Sequence, residues 1–148
     1  GEPIDRYLLE QGFAVTGLDY SEPMLALARS RFPEATFIRQ DMRDLTLEGH
    51  GFDAVISWDG FFHLTADEQL TLLSQLRRVL KRPGELFLTV GPEAGEVIGH
   101  VEGEAVYHAS LAPEAYEAQL TRLGFSNARV YASETELEQR VLLTARIG

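Results

Sequence analysis

The chain has 148 residues, is 45% hydrophobic, and carries 13 Lys and Arg against 23 Asp and Glu, which gives a formal net charge of -10. This length and composition are typical of one globular domain and exclude fibrous, collagen-like and disordered chains. The negative charge opposes nucleic-acid binding, because affinity for phosphates normally comes from clustered lysine and arginine. No apolar run approaches the roughly 20 residues that a membrane span needs. The absence of cysteine fits a cytoplasmic protein without disulfides or thiolate metal sites.

The first part of the chain alternates between predicted helices and strands. Apolar positions in residues 2–11 have helical spacing, and Gly12 lies just past the end of this helix. Residues 13–18 predict a strand, after which Ser21 begins a second helix that ends before Pro33. The apolar stripe of the second helix is expected to consist of Met24, Leu25, Ala28 and Phe32.

Three strands and one long helix follow in the middle of the chain. Residues 36–39 predict a short strand, and residues 52–58 (FDAVISW) predict a second one. The nearly continuous apolar character of FDAVISW suits a parallel strand that is covered on both faces. Leucines at helical spacing predict a helix over residues 67–81, which the KRPG segment closes. Residues 85–90 predict the next strand.

The last third of the chain combines an acidic, glycine-rich segment with a helix and two strands. Residues 91–106 are rich in Gly and Glu and lack Lys and Arg, a pattern that predicts a mobile loop. Residues 113–123 predict a helix. Residues 125–132 and 140–147 predict strands with only a short connection between them, so we expect them to pair antiparallel.

The order of these elements predicts an α/β fold. Alternating strands and helices favour a doubly wound, mostly parallel, Rossmann-like sheet with helices on both faces, and the two last strands add an antiparallel C-terminal pair. A right-handed crossover starts from a strand, yet this sequence starts at a helix. Without a further strand, the strands at 13–18 and 52–57 would leave unpaired backbone edges in the core. We therefore expect residues 1–148 to form a single domain that lacks its first strand at the N-terminus.

Four segments carry motifs within this pattern. Gly1 precedes the first helix, where a glycine allows a ligand to approach the backbone closely. The strand AVTGLDY brings Asp19 to its end, about 20 residues after that glycine. IRQDMRDL contains Asp41, and FDAVISWDGFFHL joins a strand to a polar and aromatic loop. Together these segments resemble class I S-adenosylmethionine-dependent methyltransferases. The resemblance covers nearly the whole chain and is most specific over residues 1–90.

The resemblance implies S-adenosylmethionine as cofactor, S-adenosylhomocysteine as product, and a small-molecule acceptor of the methyl group. It implies that Asp19 accepts hydrogen bonds from the ribose hydroxyls. It also implies that Asp41 accepts one from the exocyclic amine of adenine, which is a donor. The other cofactor contacts are expected from Gly1, Tyr20, Met24, Met42, Ser57 and Trp58.

Several of these residues also have purely structural interpretations. Asp19 could cap the following helix, although Ser21 is available for that task. Asp41 could be a loop aspartate paired with Arg39 or Arg43, and Met24 could belong to the apolar stripe of its helix.

Candidate catalytic residues on the acceptor side are His63, Tyr107 and His108. By the resemblance, His63 lies near the reacting methyl group together with Asp59 and Phe62. Tyr107 and His108 could orient or deprotonate the acceptor, but adjacent strand residues face opposite ways, so only one is expected to do so. A structural role for this pair is the alternative. The four histidines lack metal-ligand spacing, so no metal site is predicted.

Two other functions share parts of this pattern. A nicotinamide-dependent Rossmann oxidoreductase also combines a glycine turn with an acid at a strand end. The Asp41 segment and the antiparallel C-terminal pair favour a methyltransferase over it. A non-catalytic S-adenosylmethionine-binding sensor or scaffold domain is the second alternative.

Overall fold

The computed structural model describes residues 4–45, 47, 51–58, 60–91, 93–101, 104–132 and 140–148, and the chain divides into two compact units, residues 1–46 and 47–148. The first unit contains α1 (Ile4–Glu10), β1 (Thr16–Asp19), α2 (Glu22–Arg31), β2 (Thr36–Arg39) and a 3₁₀ helix at Met42–Asp44. The second unit contains β3 (Phe52–Ser57), a 3₁₀ helix at Phe61–His63, α3 (Ala66–Val79), β4 (Leu80–Val90), β5 (Gly95–Val101), β6 (Glu104–Ser110), α4 (Pro113–Arg122), β7 (Ser126–Ala132) and β8 (Val141–Ile147).

In the first unit, β1 and β2 form a parallel pair that runs from Thr16 opposite Thr36 to Asp19 opposite Arg39. The predicted start of β1 at residue 13 is wrong. The amide of Phe13 donates to the carbonyl of Leu8 at the end of α1, so the chain is still completing the helix terminus there.

Helix α2 begins after Ser21, whose hydroxyl accepts a hydrogen bond from the amide of Met24 at 3.5 Å. Leu25 and Phe32 are buried on its inner side, with exposed fractions of 1% and 2%. Met24 is 53% exposed, so the prediction that it belongs to the apolar stripe is wrong. Successive helical residues are rotated by about 100°. The side that carries Leu25 and Phe32 therefore leaves Met24 outside the core.

The second unit contains a four-stranded sheet in the order β3-β4-β8-β7. Strands β3 and β4 are parallel, whereas β8 is antiparallel to both β4 and β7. This arrangement confirms the predicted antiparallel C-terminal pair. Apolar side chains of α3, α4 and the central strands form the core, and the fully buried ones include Leu73, Leu86, Leu88, Leu120, Leu143 and Ile147.

Helix α3 ends earlier than the leucine pattern predicts. The amide of Leu80 donates to the carbonyl of Leu76, and the backbone of Leu80 is already extended, with ψ 138°. Leu80 then pairs with Phe52 of β3. The KRPG segment therefore lies inside β4 and does not close the helix. At the other end, the predicted helix start is close to the observed one, because a capping box between Thr65 and Glu68 fixes it.

The segment predicted as a mobile loop is largely a β-hairpin. Strands β5 and β6 pair antiparallel from Gly95 opposite Ser110 to Val101 opposite Glu104. The loop prediction rested on glycine and glutamate content. Regular backbone pairing across the two strands overrides that local composition here.

The strands β1 and β3 are the two that the sequence analysis expects to lie beside a further strand. Within the described ranges, β1 pairs only with β2, and β3 pairs only with β4. The additional first strand and the single domain over residues 1–148 stay predictions. No helix in the described part of the chain is long and apolar enough to cross a membrane.

Candidate active site

Asp19 stands at the carboxyl end of the parallel strand β1 and is exposed. Its Oδ1 accepts a hydrogen bond from the amide of Ser21 at 3.0 Å, so the side chain does help to shape the turn into α2. From the described part of the chain, Oδ2 accepts no hydrogen bond. The carboxylate is therefore held through one oxygen, and the other oxygen of this exposed side chain can accept from a ligand hydroxyl.

Tyr20 and Met24 present apolar surface close to Asp19 in the sequence. Their side chains are 61% and 53% exposed. The guanidinium of Arg39 lies 4.9 Å from the centroid of the Tyr20 ring, and Arg39 Nε donates to the Tyr20 carbonyl at 3.2 Å. Because Arg39 fixes the backbone and covers the ring, it limits the orientations that Tyr20 can adopt.

Asp41 lies two positions beyond the end of β2 and caps the following 3₁₀ helix by accepting from the Arg43 amide at 2.9 Å. Both carboxylate oxygens also accept from the Arg43 guanidinium, with the shortest contact, Nη2 to Oδ2, at 2.6 Å. The side-chain hydrogen bonds with Arg43 lower the pKa of Asp41 to about 2. The pairing with Arg43 that the sequence left open is thus formed. Met42 is half-buried next to it.

Ser57 and Trp58 lie at the end of β3 in the second unit. The Ser57 carbonyl accepts from the hydroxyl of the buried Thr89 at 3.5 Å, which fixes the strand end against β4. Trp58 is 41% exposed, and the guanidinium of Arg140 lies 4.8 Å from its ring centroid. Gly1 and Asp59, which the sequence also assigns to the site, lie outside the described residues.

Three rings from two parts of the second unit form one group, which we call the imidazole cluster: Phe62, His63 and His108. The rings of Phe62 and His108 stack with centroids 4.7 Å apart, and the His63 ring meets Phe62 edge-on at 4.8 Å. The two imidazole centroids are 4.9 Å apart. The hairpin therefore brings His108 to the 3₁₀ helix that carries His63.

Tyr107 takes part in this arrangement through its backbone. Its carbonyl lies 3.0 Å from Nδ1 of His63. Burial, and then a hydrogen bond with Glu96, raise the pKa of the Tyr107 hydroxyl, so the side chain interacts with Glu96 and His108 carries the ring that joins the cluster. This agrees with the expectation that the two neighbours face opposite ways.

Gln69 is not among the predicted site residues, yet it connects the segments behind the imidazole cluster. It is fully buried, and its Nε2 donates to the carbonyls of Leu64 and Ala109 at 3.0 and 2.9 Å. Its Oε1 accepts from the hydroxyl of the buried Tyr116 at 2.5 Å. The available signal was a polar residue at a core position of a leucine-rich helix. Such a residue is normally retained inside a protein only with its hydrogen bonds satisfied.

Possible metal ligands do not gather in the described part of the chain, where no group of three or more His, Asp or Glu side chains could hold an ion. The candidate site residues described above form two chemical environments. One is a pair of carboxylates at strand ends in the first unit, and the other is a group of aromatic and imidazole rings in the second.

Comparison with known proteins identifies a family for this arrangement. Residues 4–84 match the profile of the family described as "Methyltransferase domain". The Bacillus subtilis protein YqeM, which carries the name of a methyltransferase, is 39% identical over 88 residues, covering 56% of this chain and 36% of YqeM. Demethylmenaquinone methyltransferase from Thermotoga maritima is 36% identical over 74 residues, covering 50% of this chain and 31% of that protein. The chain thus spans about a third of the length of these curated relatives.

Solved structures of similar fold cover almost the whole chain. The magnesium protoporphyrin IX methyltransferase of Synechocystis PCC 6803, solved with bound S-adenosylmethionine, superposes with a TM-score of 0.72 at 25% identity. The superposition covers 96% of this chain and 63% of that one. The PH0226 protein of Pyrococcus horikoshii gives a TM-score of 0.71 at 25% identity, over 99% and 77% of the two chains. These likenesses confirm the predicted Rossmann-like α/β fold.

Proposed function

Since this chain belongs to the methyltransferase domain family, we propose that it transfers a methyl group from S-adenosylmethionine to a small-molecule acceptor and releases S-adenosylhomocysteine. The cofactor follows from the family and from similar structures that contain S-adenosylmethionine or S-adenosylhomocysteine. The observation in this chain that carries the proposal is Asp19, an exposed carboxylate at the carboxyl end of a parallel strand inside the matched segment. In α/β sheets, this end of the strands is where nucleotides bind.

In the first unit, we assign Asp19 to the ribose and Asp41 to the adenine. The Asp19 side chain already accepts from Ser21 through Oδ1, which leaves Oδ2 for a ribose hydroxyl. Asp41 accepts only from Arg43 among the contacts described above, and Arg43 is exposed enough to move when adenine offers its amine. Tyr20, Met24 and Met42 supply apolar surface for the base.

In the second unit, Ser57 and Trp58 are assigned to the methionine end of the cofactor. The Trp58 ring offers a partly exposed aromatic face, and Arg140 holds the ring in place from one side. Gly1 is assigned to the cofactor side, as the resemblance implies. His63, Tyr107 and His108 are assigned to the acceptor side.

The sulfonium supplies an already activated methyl group, so the residues of this chain need only align the acceptor and exclude water. The imidazole cluster offers the aromatic surface and the nitrogen atoms for that alignment. A general base is needed only if the acceptor arrives protonated.

The cytoplasmic location expected from the sequence stays a prediction.

Calorimetric titration with S-adenosylhomocysteine tests the assignment. Asp19→Ala is expected to weaken binding by about 10- to 100-fold, because charge-assisted hydrogen bonds to hydroxyls contribute about 1.5–3 kcal/mol. Asp53→Asn is the matched control, because Asp53 is an exposed acid of β3 whose Oδ1 lies 3.8 Å from Nζ of Lys81. Undiminished affinity in a folded Asp19→Ala protein would reject the ribose assignment.

Turnover separates an enzyme from a sensor domain. Wild-type protein is incubated with S-adenosylmethionine and a panel of phenols, amines and carboxylates, and the release of S-adenosylhomocysteine is measured. Methylation of any member supports the proposed activity. Tight cofactor binding without turnover of any acceptor would favour the sensor alternative.

A further inference from the structure

The hydrogen bond between His63 and Tyr107 determines which nitrogen of His63 carries its proton. Nδ1 lies 3.0 Å from the Tyr107 carbonyl oxygen, and a carbonyl can only accept. Nδ1 must therefore be the N–H donor. In the neutral imidazole, Nε2 is then left with a lone pair that can accept a proton. Tyr107 thus prepares His63 to act as a base through Nε2.

The surroundings of His63 restrict what this base can meet. The His63 side chain is exposed, and it contacts the edge of the Phe62 ring. His108 stacks on Phe62 and lies 4.9 Å from His63 between ring centroids. A planar, partly apolar acceptor has aromatic surface next to the nitrogen here, which suits an aromatic ring better than an aliphatic polar chain.

The buried side chain of Gln69 fixes the separation between His63 and His108. Gln69 donates to the carbonyl of Leu64, which directly follows His63, and to the carbonyl of Ala109, which directly follows His108. Loss of either hydrogen bond would remove one of the two links that this buried side chain makes. Gln69 is therefore a positioning residue that holds the 3₁₀ helix and the hairpin in register.

We propose that His63 is the general base of the reaction and that the acceptor is an aromatic hydroxyl compound. This inference rests on the proposed function. The acceptor O–H transfers its proton to Nε2 of His63, which becomes an imidazolium. The acceptor oxygen forms the new O–C bond to the methyl group, and the electron pair of the broken C–S bond returns to sulfur. The products are the methyl ether, S-adenosylhomocysteine and protonated His63, which releases its proton to water.

The first experiment compares phenols of different acidity at about pH 8. His63→Asn keeps an amide N–H for the Tyr107 carbonyl but removes the basic nitrogen. With 4-methylphenol, which is protonated at this pH, we expect the kcat/KM of His63→Asn to be about 10²- to 10⁴-fold lower than that of wild type. With 4-nitrophenol, which is largely ionised, a loss of less than about threefold is expected, since no base is needed. Equal losses with both phenols would overturn the assignment of His63 as base.

Two controls separate this inference from the proposed function. His63→Asn should bind S-adenosylhomocysteine with the affinity of wild type, and Asp53→Asn should retain wild-type turnover with both phenols. If wild type methylates an amine or a carboxylate but no phenol, the acceptor class proposed here is wrong and the methyltransferase function stands. If S-adenosylhomocysteine does not bind at all, the proposed function itself fails.

The tautomer provides a test that needs no acceptor. In ¹⁵N-labelled protein at neutral pH, the nitrogen shifts and proton couplings of the His63 ring are expected to show a proton on Nδ1 and none on Nε2. Gln69→Met is expected to broaden or shift these signals, because it removes the bridge behind the cluster. A neutral His63 ring with its proton on Nε2 would overturn the proposal.

Discussion

Asp19 ends one parallel strand and Asp41 lies two positions beyond the end of the other, yet the immediate partners of the two carboxylates differ. Asp19 accepts from one backbone amide, whereas Asp41 is engaged through both oxygens by Arg43. A ligand can therefore meet Asp19 without displacing any side chain, but at Asp41 it competes with an internal ion pair. We infer that Asp19 contributes more to cofactor affinity than Asp41 does.

The Asp41–Arg43 pair also predicts a dependence of stability on pH. The pKa of Asp41 is lowered from 3.8 to about 2, so its contribution to stability is fully present above about pH 4 and is lost as the pH falls towards 2. Because both side chains are partly exposed, the contribution should be at most about 1 kcal/mol. Urea unfolding of wild type and Asp41→Asn at several pH values between about 5 and 2 measures it.

Arg43→Gln provides the matching comparison for this pair. It removes the guanidinium, the largest cause of the lowered Asp41 pKa, but keeps the hydrogen bond from the Arg43 amide, so it should lose most but not all of the pH dependence that Asp41→Asn loses. The double variant should match Asp41→Asn, because the group that titrates is the Asp41 carboxylate and both variants lack it. A wild-type pH dependence in Arg43→Gln would show that another group is responsible.

Helix α3 connects secondary structure with the candidate site, because it begins three residues after His63. Its start is fixed by the Thr65 hydroxyl, which accepts from the Glu68 amide at 3.2 Å, and by the Thr65 amide, which donates to Glu68 Oε1 at 2.9 Å. Gln69 follows directly after this capping box. The cap and the buried bridge therefore stabilise the same turn of the chain.

Thr65→Ala is expected to lower the free energy of unfolding by about 1 kcal/mol, because the first turn of α3 loses its side-chain acceptor. Thr65→Ser retains a hydroxyl and should stay close to wild type. Thr121→Ala is the control, since the Thr121 hydroxyl donates to the Glu117 carbonyl on an exposed helix surface. Chemical denaturation of the three variants gives the comparison. Equal effects of Thr65→Ala and Thr121→Ala would contradict the role of the cap.

The elements that the sequence predicts well are those with a strong local pattern. The strand at 36–39, the start of α3 and the C-terminal strand pair are found where hydrophobic periodicity and turn residues place them. The hairpin β5–β6 is missed, because pairings such as Ile98 opposite Tyr107 depend on residues of the partner strand. Composition within one segment carries no information about that partner.

In the candidate site, too, the sequence predicts some features and misses others. The positions of Asp19 and Asp41 at strand ends follow from the strand pattern and agree with the structure. The contact between His63 and His108 does not follow from it, because it requires the hairpin to fold back onto the 3₁₀ helix. Gln69 was visible as a polar residue among leucines, but its partners Leu64 and Ala109 are revealed only by the fold.

The net charge of the whole chain is -10, and it should affect the binding of the cofactor more than the binding of the product. S-adenosylmethionine carries one positive charge more than S-adenosylhomocysteine, so the negative protein favours it electrostatically. Raising the ionic strength from about 0.01 M to about 1 M shortens the Debye length from about 30 Å to about 3 Å. We expect the affinity for S-adenosylmethionine to fall about two- to fivefold relative to that for S-adenosylhomocysteine.

Fluorescence titration of Trp58, the only tryptophan, can measure both dissociation constants. Sucrose at the osmolality of the salt should leave their ratio unchanged, because it does not screen charge. Parallel changes of the two constants with salt would mean that the net charge of the chain does not contribute to the discrimination.

The junction between β4 and the hairpin has a consequence for engineering. A Cβ atom at Gly91 would lie 2.7 Å from Cβ of Ser110, and the Ser110 hydroxyl donates to the Gly91 carbonyl at 3.3 Å. The root of the hairpin therefore tolerates no added atom. Val97 and Ile98, further along, are 62% and 69% exposed. Directed evolution towards new acceptors should therefore vary Val97 and Ile98 and keep Gly91 and Ser110 unchanged. Substitutions at the two exposed positions should not disturb the contact between Gly91 and Ser110.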